Sequence, residues 1–517
     1  MKARTYEMDM TSGSLLNKII IFSVPLILSN VLQLIFNAAD MIVVGRFVGH
    51  QALAAVGATS ALINLLLNLF IGFSVGVNVT VARFYGSNDS RGISDSVHTS
   101  VALALISGAV LMLIGIFTSK PLLIITGAPD EVLEQAALYM KIYFAGMPIT
   151  MFYNFGAAIL RSVGDTKRPL YYLVAAGVTN VILNVIFVTQ LHMGVEGVAL
   201  ATVISQILSA ALLLKVLIKT EANYKLSLKK LKLQKNMLKK ILKIGIPSGI
   251  QGVTFSLSNV LIQSSINIFG AVAIAGNTAG ASIEGFIYVA MNSVSQAALS
   301  FVSQNFGAHD FERIKRTVRK CSAIVAVLGI VTGFSARIFG YQLLGIYSGD
   351  ADVVQYGIDR MTIIALPYFI CGLMDVFTGS LRGLGYSFIP MIISILGACG
   401  FRILWIFTIF SWHKTLTTLY ISYPVSWLIT MLCEMICFGI MLKKEKKKAD
   451  ATEDHRGSPH RTGTFPYYTK ITGDRQHQTT LINIWQEIRN AKIHWNNQIP
   501  MDFLLGGDKR DRTADLL

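Results

Sequence analysis

Residues 25–49 read PLILSNVLQLIFNAADMIVVGRFVG, an apolar run interrupted by a single carboxylate, Asp40. On a helix of 3.6 residues per turn, Ser29, Gln33, Asn37 and Asp40 stand at i, i+4, i+8 and i+11, so they form one narrow polar stripe. That stripe must face water or polar protein. The apolar run 19–44 is long enough to cross a bilayer, and Asp40 falls roughly 12 Å beyond its midpoint at about 1.5 Å per residue. An ionisable group at that depth turns toward a protein interior or a water-filled cavity and marks a functional position by default. A packing Asp hydrogen-bonded to a neighbouring helix is the plainer alternative.

The rest of the chain has the same character. Of its 517 residues, 53% are hydrophobic and only 14% charged, against about 25% charged in soluble proteins. This is the composition of a polytopic membrane protein. Five scattered cysteines, none in a CxxC pair, exclude a disulfide framework or a zinc ribbon. The first apolar run is too long for a cleaved signal peptide and is read as the first span.

Segments of spanning length recur at 15–45, 52–81, 94–118, 132–157, 169–190, 194–218, 241–268, 272–303, 316–343, 353–379, 387–410 and 415–442. They predict an all-α integral membrane protein with twelve transmembrane helices. The net charge of +16 would suggest nucleic acid in a soluble chain, but here it is distributed as topology. Lys and Arg crowd the even-numbered loops, with ten between Lys215 and Lys243, five between Arg313 and Lys320 and five between Lys443 and Lys448. The positive-inside rule then puts both termini in the cytoplasm, and no nucleic-acid partner is expected.

The two halves resemble each other at a register of 221 residues. RFYGSNDSR from Arg83 matches QNFGAHDFE from Gln304, and LRSVGDTKRP from Leu160 matches LRGLGYSFIP from Leu381. These align Gly86 with Gly307, Arg161 with Arg382 and Pro169 with Pro390. Six spans per half, repeated in one orientation, give two six-helix bundles related by a pseudo-two-fold axis along the membrane normal, with a central cavity between them. The expected organisation is a cytoplasmic N-terminal segment (1–14), an N-terminal lobe (15–218), a solvated basic linker (219–240), a C-terminal lobe (241–442) and a polar cytoplasmic tail (443–517) expected to be disordered. Within that tail, TTLINIWQEIRNAKIHW could form one amphipathic helix.

The 6+6 repeat, the first-span pattern, the LRSVGDTKRP and LRGLGYS turns and the span 5 run TNVILNVIF together resemble the bacterial multidrug and toxic compound extrusion (MATE) transporters. The resemblance covers residues 15–442. It implies secondary active efflux of lipophilic organic cations by antiport with H+ or Na+ through alternating access, in a monomer of the bacterial inner membrane. It further implies a cation or proton site in the N-terminal lobe, formed by Asp40, Asn180, Thr202 and the position of Asn184, with Asn154 nearby. The sequence departs here from members of the family that carry Asp at that last position. With Asn184 the site has one fewer negative charge, which leaves Asp40 as its titrating group and weakens a case for Na+ there.

No GxxxxGK[ST] phosphate cradle, zinc-spaced histidines or Ser-His-Asp pattern occurs, so neither nucleotide-driven pumping nor enzyme chemistry is supported, and no cofactor is expected. Asn180 and Asn184 share a helix face, although asparagines in spans also serve as plain interhelical glue. The cavity candidates are Gln33 and Asn37 of span 1, Glu284, Tyr288 and Met291 of span 8, and Asp375 of span 10, the repeat counterpart of Asn154. Arg402 and Glu434 are expected to pair with each other, because unpaired charge in lipid is expensive. A flippase for a lipid-linked saccharide is the alternative. It would call for more cationic residues in the cavity spans, whereas these candidates are acidic.

Overall fold

A computed structural model describes residues 6–454, and the amphipathic window of the tail lies outside them. Residues 6–451 form one compact unit, built among the described residues from helices alone. In the first half these are α1 (Leu15–Val43), α2 (His50–Gly86), α3 (Ser90–Ile125), α4 (Asp130–Ala145), α5 (Met147–Ser162), α6 (Lys167–Val185) and α7 (Val195–Lys219). The second half comprises α8 (Lys235–Ile266), α9 (Ala271–Gly307), α10 (Phe311–Ile338), α11 (Gly340–Gly345), α12 (Ala351–Ile364), α13 (Tyr368–Gly383), α14 (Phe388–Ser394), α15 (Phe401–Trp405) and α16 (Leu416–Asp454).

Nine helices among the described residues are long and apolar enough to cross a bilayer, and two bent pairs bring the number to eleven. The twelfth expected span is α8, which is long enough at 32 residues but more polar. Its polar side chains are spent on neighbours: Ser248 meets Ser387 at 3.0 Å and Gln251 donates to Ser394 at 2.8 Å. The expected spans 132–157 and 353–379 are each bent, by 49° between α4 and α5 and again by 49° between α12 and α13. Gly146 and Pro148 sit at the first break and Pro367 at the second, residue types that interrupt the backbone ladder. The two bends occupy matching places in the two halves.

The halves meet at the C-terminal ends of α2 and α9, where the repeat produces a reciprocal contact. A Cβ on Gly86 would collide with the Gln304 carbonyl, and one on Gly307 with the Arg83 carbonyl. Arg83 and Gln304 are themselves repeat counterparts, so the interface is self-complementary in the manner of a two-fold dimer. Glycine is required because the two backbones touch. Arg83 adds a guanidinium contact to the Gly383 carbonyl at 2.9 Å.

The N-terminal segment and the linker do not extend loosely into solvent. Met10 is fully buried; its N–H donates to Gln304 Oε1 at 3.1 Å, and its carbonyl accepts from Arg313 Nε at 3.0 Å. Met8 N–H donates to the Val163 carbonyl at 3.1 Å. Glu7 accepts from Tyr224 of the linker at 2.8 Å and from Tyr85 at 3.3 Å. Residues 7–13 therefore strap the two lobes together at this end. The linker's lysines are exposed except Lys240, which is half-buried over the Phe84 ring at 4.8 Å, and Tyr224 and Leu226 are buried against the first lobe. Hydrogen bonds between the lobes lie from this strap up to Asn68–Ser256 (3.3 Å) and Asn30–Ser293 (3.0 Å).

Gly307→Leu should drive a side chain into the Arg83 carbonyl, at a cost of about 1–3 kcal/mol for overpacking. A clear fall in the thermal unfolding midpoint is expected, compared with Gly285→Leu, where nothing lies within 4 Å of the new Cβ. Equal midpoints would show that the reciprocal contact does not hold the lobes.

Candidate functional site

Asp40 lies near the end of α1, half-buried, and accepts from Asn184 Nδ2 at 2.5 Å. The same nitrogen reaches Asn180 Oδ1 at 3.3 Å, and Asn180 Nδ2 donates to Thr202 Oγ1 at 3.3 Å. Three helices, α1, α6 and α7, thus contribute to one polar chain inside the first lobe. The ring of Phe36 covers Gly177 one turn away, which lets α1 and α6 approach closely enough for the chain to form. Asn184 Oδ1 is buried without a donor. A buried acceptor beside a carboxylate, lacking any partner, is a place where a proton or a small cation would be stabilised. Both helices loosen into a π-helical turn just beyond the site, at Val44–Val48 and Ile186–Gln190, a feature frequent at functional positions.

Asn154 stands apart from this chain. Its side chain returns to the Thr150 carbonyl at 3.0 Å, and Thr150 Oγ1 bonds to Gln206. Gln33 and Asn37 are exposed on α1.

In the second lobe Asp375 of α13 keeps accessible surface and is joined to Asn292 Nδ2 at 3.4 Å, which also approaches the Tyr288 hydroxyl at 3.4 Å. Tyr288 is 39% exposed. Arg382, seven residues after Asp375 on the same helix, lies within its electrostatic reach and donates to Gln251 Oε1 at 2.6 Å. Asn292, Arg382 and Gln251 were absent from the sequence-derived site. The repeat had marked Arg382 as a turn residue only.

Two expected cavity residues lie elsewhere. Glu284 is buried in a two-pronged ion pair with Arg360, at 3.1 Å to Nε and 2.6 Å to Nη2. Arg360 also donates to Asn277 Oδ1 at 2.6 Å and faces the rings of Tyr420 and Tyr423. Arg360, in the last turns of α12, turns inward and takes the carboxylate. Met291 is fully buried, its sulfur wedged against Gly329 and Gly372, and packs as core.

The expected Arg402–Glu434 pair is also replaced. Arg402 donates to Ser426 Oγ at 2.9 Å and lies over the Tyr423 and Trp427 rings at 4.2 and 5.6 Å. Glu434 accepts from Thr378 at 2.7 Å and Ser394 at 3.0 Å. Hydroxyls and aromatic faces on neighbouring helices outcompeted a more distant opposite charge. No group of three or more metal-ligating His, Cys, Asp or Glu occurs among the described residues.

The MatE family pattern matches residues 25–186 and again 247–408, one stretch in each lobe and together more than half of the chain. The chain belongs to the MatE family. Members of this family are membrane transporters, not enzymes, and need no cofactor. The probable multidrug resistance protein YoeA of Bacillus subtilis is 27% identical over 434 residues, covering 82% of this chain and 94% of YoeA. The probable multidrug resistance protein NorM of Thermotoga maritima is 25% identical, covering 73% and 82%. Among solved structures, an outward-facing multidrug resistance MATE family transporter superposes with a TM-score of 0.80 at 22% identity, over 86% of this chain and all of that one. That likeness establishes the two-lobed, twelve-helix fold.

Glu284→Gln would leave Arg360 as an uncompensated buried charge, a change that costs about 3–5 kcal/mol in buried pairs. The unfolding midpoint of the purified protein should fall steeply, and the double variant Glu284→Gln/Arg360→Gln should recover part of the loss. An unchanged midpoint in Glu284→Gln would mean that the carboxylate is not structural.

Proposed function

We propose that this MatE protein is a secondary active multidrug exporter that moves lipophilic organic cations outward in exchange for H+ or Na+. The supporting observation is the chain Asp40–Asn184–Asn180–Thr202 with its orphaned Asn184 oxygen. A positive charge arriving there neutralises Asp40 and gives the free oxygen a partner. The names of YoeA and NorM, as probable multidrug resistance proteins, and of the Staphylococcus saprophyticus multidrug export protein MepA support multidrug export.

In this reading both termini are cytoplasmic and the protein acts as a monomer in the inner membrane. The strapped end of the lobes then faces the cytoplasm, and the conformation described is closed on that side. Substrate cations meet Asp375 and Tyr288, with Gln33 and Asn37 on the opposite wall. A one-for-one exchange of monovalent cations moves no net charge and is driven by the H+ or Na+ concentration gradient, while each further positive charge entering down a potential of 100 mV adds about 2.3 kcal/mol. Neutralising Asp40 frees Asn184 from the carboxylate and changes how α1 packs on α6 and α7, while the π-helical turns absorb the movement.

Proteoliposomes loaded with ethidium and given an imposed pH or Na+ gradient test this directly. Wild type should export under one of the two gradients, which identifies the coupling ion. Asp40→Asn should slow gradient-driven export at least ten-fold, a loss of about 1.4 kcal/mol or more. Asp375→Asn should raise the ethidium concentration needed for half-maximal export. Full export by both variants would remove these assignments.

A further inference from the structure

Between residues 225 and 239 the linker and the start of α8 carry Lys225, Lys229, Lys230, Lys232, Lys235 and Lys239 and no acid. All six are exposed, and none enters an ion pair among the described residues. The other basic clusters at helix ends are moderated by carboxylates. Lys315 and Lys446 reach Glu312 at 3.0 and 3.5 Å, and Lys448 reaches Glu445 at 2.7 Å. A run of unmoderated like charge repels itself, so its conformation must be fixed by other contacts.

Those contacts come from α3. Ser227 N–H donates to His98 Nε2 at 3.0 Å, Gln234 N–H donates to Thr99 Oγ1 at 3.3 Å, and Thr99 Oγ1 donates to the Lys232 carbonyl at 3.3 Å. The place on α3 where this happens sets the depth of the linker. Residues 90–100 of that helix include Arg91, Ser94, Asp95, Ser96, His98, Thr99 and Ser100, whereas residues 101–117 contain only one polar side chain, Ser107. The apolar part is about 26 Å long, nearly the hydrocarbon thickness of a bilayer. His98 and Thr99 stand just outside it, at the level of the headgroups, and the linker clamped to them lies at that level too.

The linker's leucines divide into two sets. Leu226 is buried and Leu231 packs against the core of the first lobe, but Leu228 and Leu233 are 58% and 39% exposed among the lysines. Exposed apolar side chains interleaved with unpaired cations at headgroup depth match the chemistry of an anionic lipid, which offers phosphates to the ammonium groups and acyl chain to the leucines. An acidic protein or a nucleic acid would satisfy only the first of these.

We propose that residues 225–239 form a docking surface for anionic phospholipid of the adjacent leaflet, with the lysines on the phosphates and Leu228 and Leu233 in the edge of the acyl-chain layer. This surface is separate from the Asp40 cluster and from the residues assigned to substrate, and it does not depend on which ion or cargo is moved.

Dioctanoyl phosphatidylglycerol and dioctanoyl phosphatidylcholine are to be titrated into the full-length protein in a neutral detergent, with binding read by microscale thermophoresis and folding by the thermal unfolding midpoint. Wild type should bind the anionic lipid at least about ten-fold tighter than the zwitterionic one. Lys229→Gln/Lys230→Gln/Lys232→Gln should lose most of that preference with an unchanged midpoint, whereas Arg316→Gln/Arg319→Gln/Lys320→Gln, which removes three exposed charges from α10, should keep it. Leu228→Ser/Leu233→Ser should weaken both lipids alike. Equal affinity of wild type for the two lipids, an equal loss of preference in the α10 variant, or undiminished binding in the leucine variant overturns the proposal. Binding of sn-glycerol 3-phosphate as tight as that of the anionic lipid overturns it too, by marking a surface for soluble anions.

Discussion

The contact on which the rest of the molecule depends is the crossing of two helix ends where no side chain fits. Gly86 lies against the carbonyl of Gln304 and Gly307 against that of Arg83. Because each member of the pair is the repeat counterpart of the other, duplicating one half generated both sides of the interface at once. Backbone contact of this kind tolerates rocking poorly while it is made, since interfaces packed to this density are bistable rather than continuously deformable. The strap of residues 7–13 reinforces the closed arrangement by satisfying Gln304, Asn305 and Arg313 from one lobe and Val163 from the other.

Charge is distributed unevenly over this symmetric frame. The second lobe contains Glu284–Arg360, which is fully paired, and Asp375 with Arg382 within electrostatic reach. The first lobe places Asp40 against amides and a hydroxyl only, and leaves Arg161 without an anion. Paired ions inside a membrane protein hold shape, since breaking them is costly. Isolated ones respond to what arrives. On that ground the second lobe's ion pair is architecture, and the isolated charges lie in the first lobe.

The features legible in sequence were those set by periodicity and repetition. Span positions, the 221-residue register and the polar stripe of α1 all follow from spacing, and the structure has them. The cluster at Asp40 was reached by resemblance, and its hydrogen bonds now connect the named residues. What could not be read was partner choice among buried charges. Glu284 had candidates on several helices, and only the 49° bend between α12 and α13, with the side-chain directions it sets, brings Arg360 to it. Arg402 met aromatic faces contributed by α16, a type of partner that a search for opposite charge passes over. The strap was missed for a different reason: a short polar segment with no periodicity carries no signal until the surface that receives it is known.

The element that joins these parts is α1. It is 29 residues long, about 43 Å at the usual rise per residue. At its start Lys18 is tied to the strap through the Asp9 and Ser12 carbonyls, in its middle Asn30 crosses to Ser293 of the other lobe, and near its end Asp40 meets Asn184. Coupling between distant sites needs an element with two arrangements that both sites can bias. α1 is fastened to the inter-lobe strap at one end and to the Asp40 cluster at the other, so both can bias its position. Under the proposed antiport, neutralising Asp40 relaxes the far end of α1 at its π-helical turn, and the same helix transmits the shift past Asn30 to the strap. The acid therefore need not lie near the closed end to control it, because the helix that carries it also anchors the strap that keeps the lobes together.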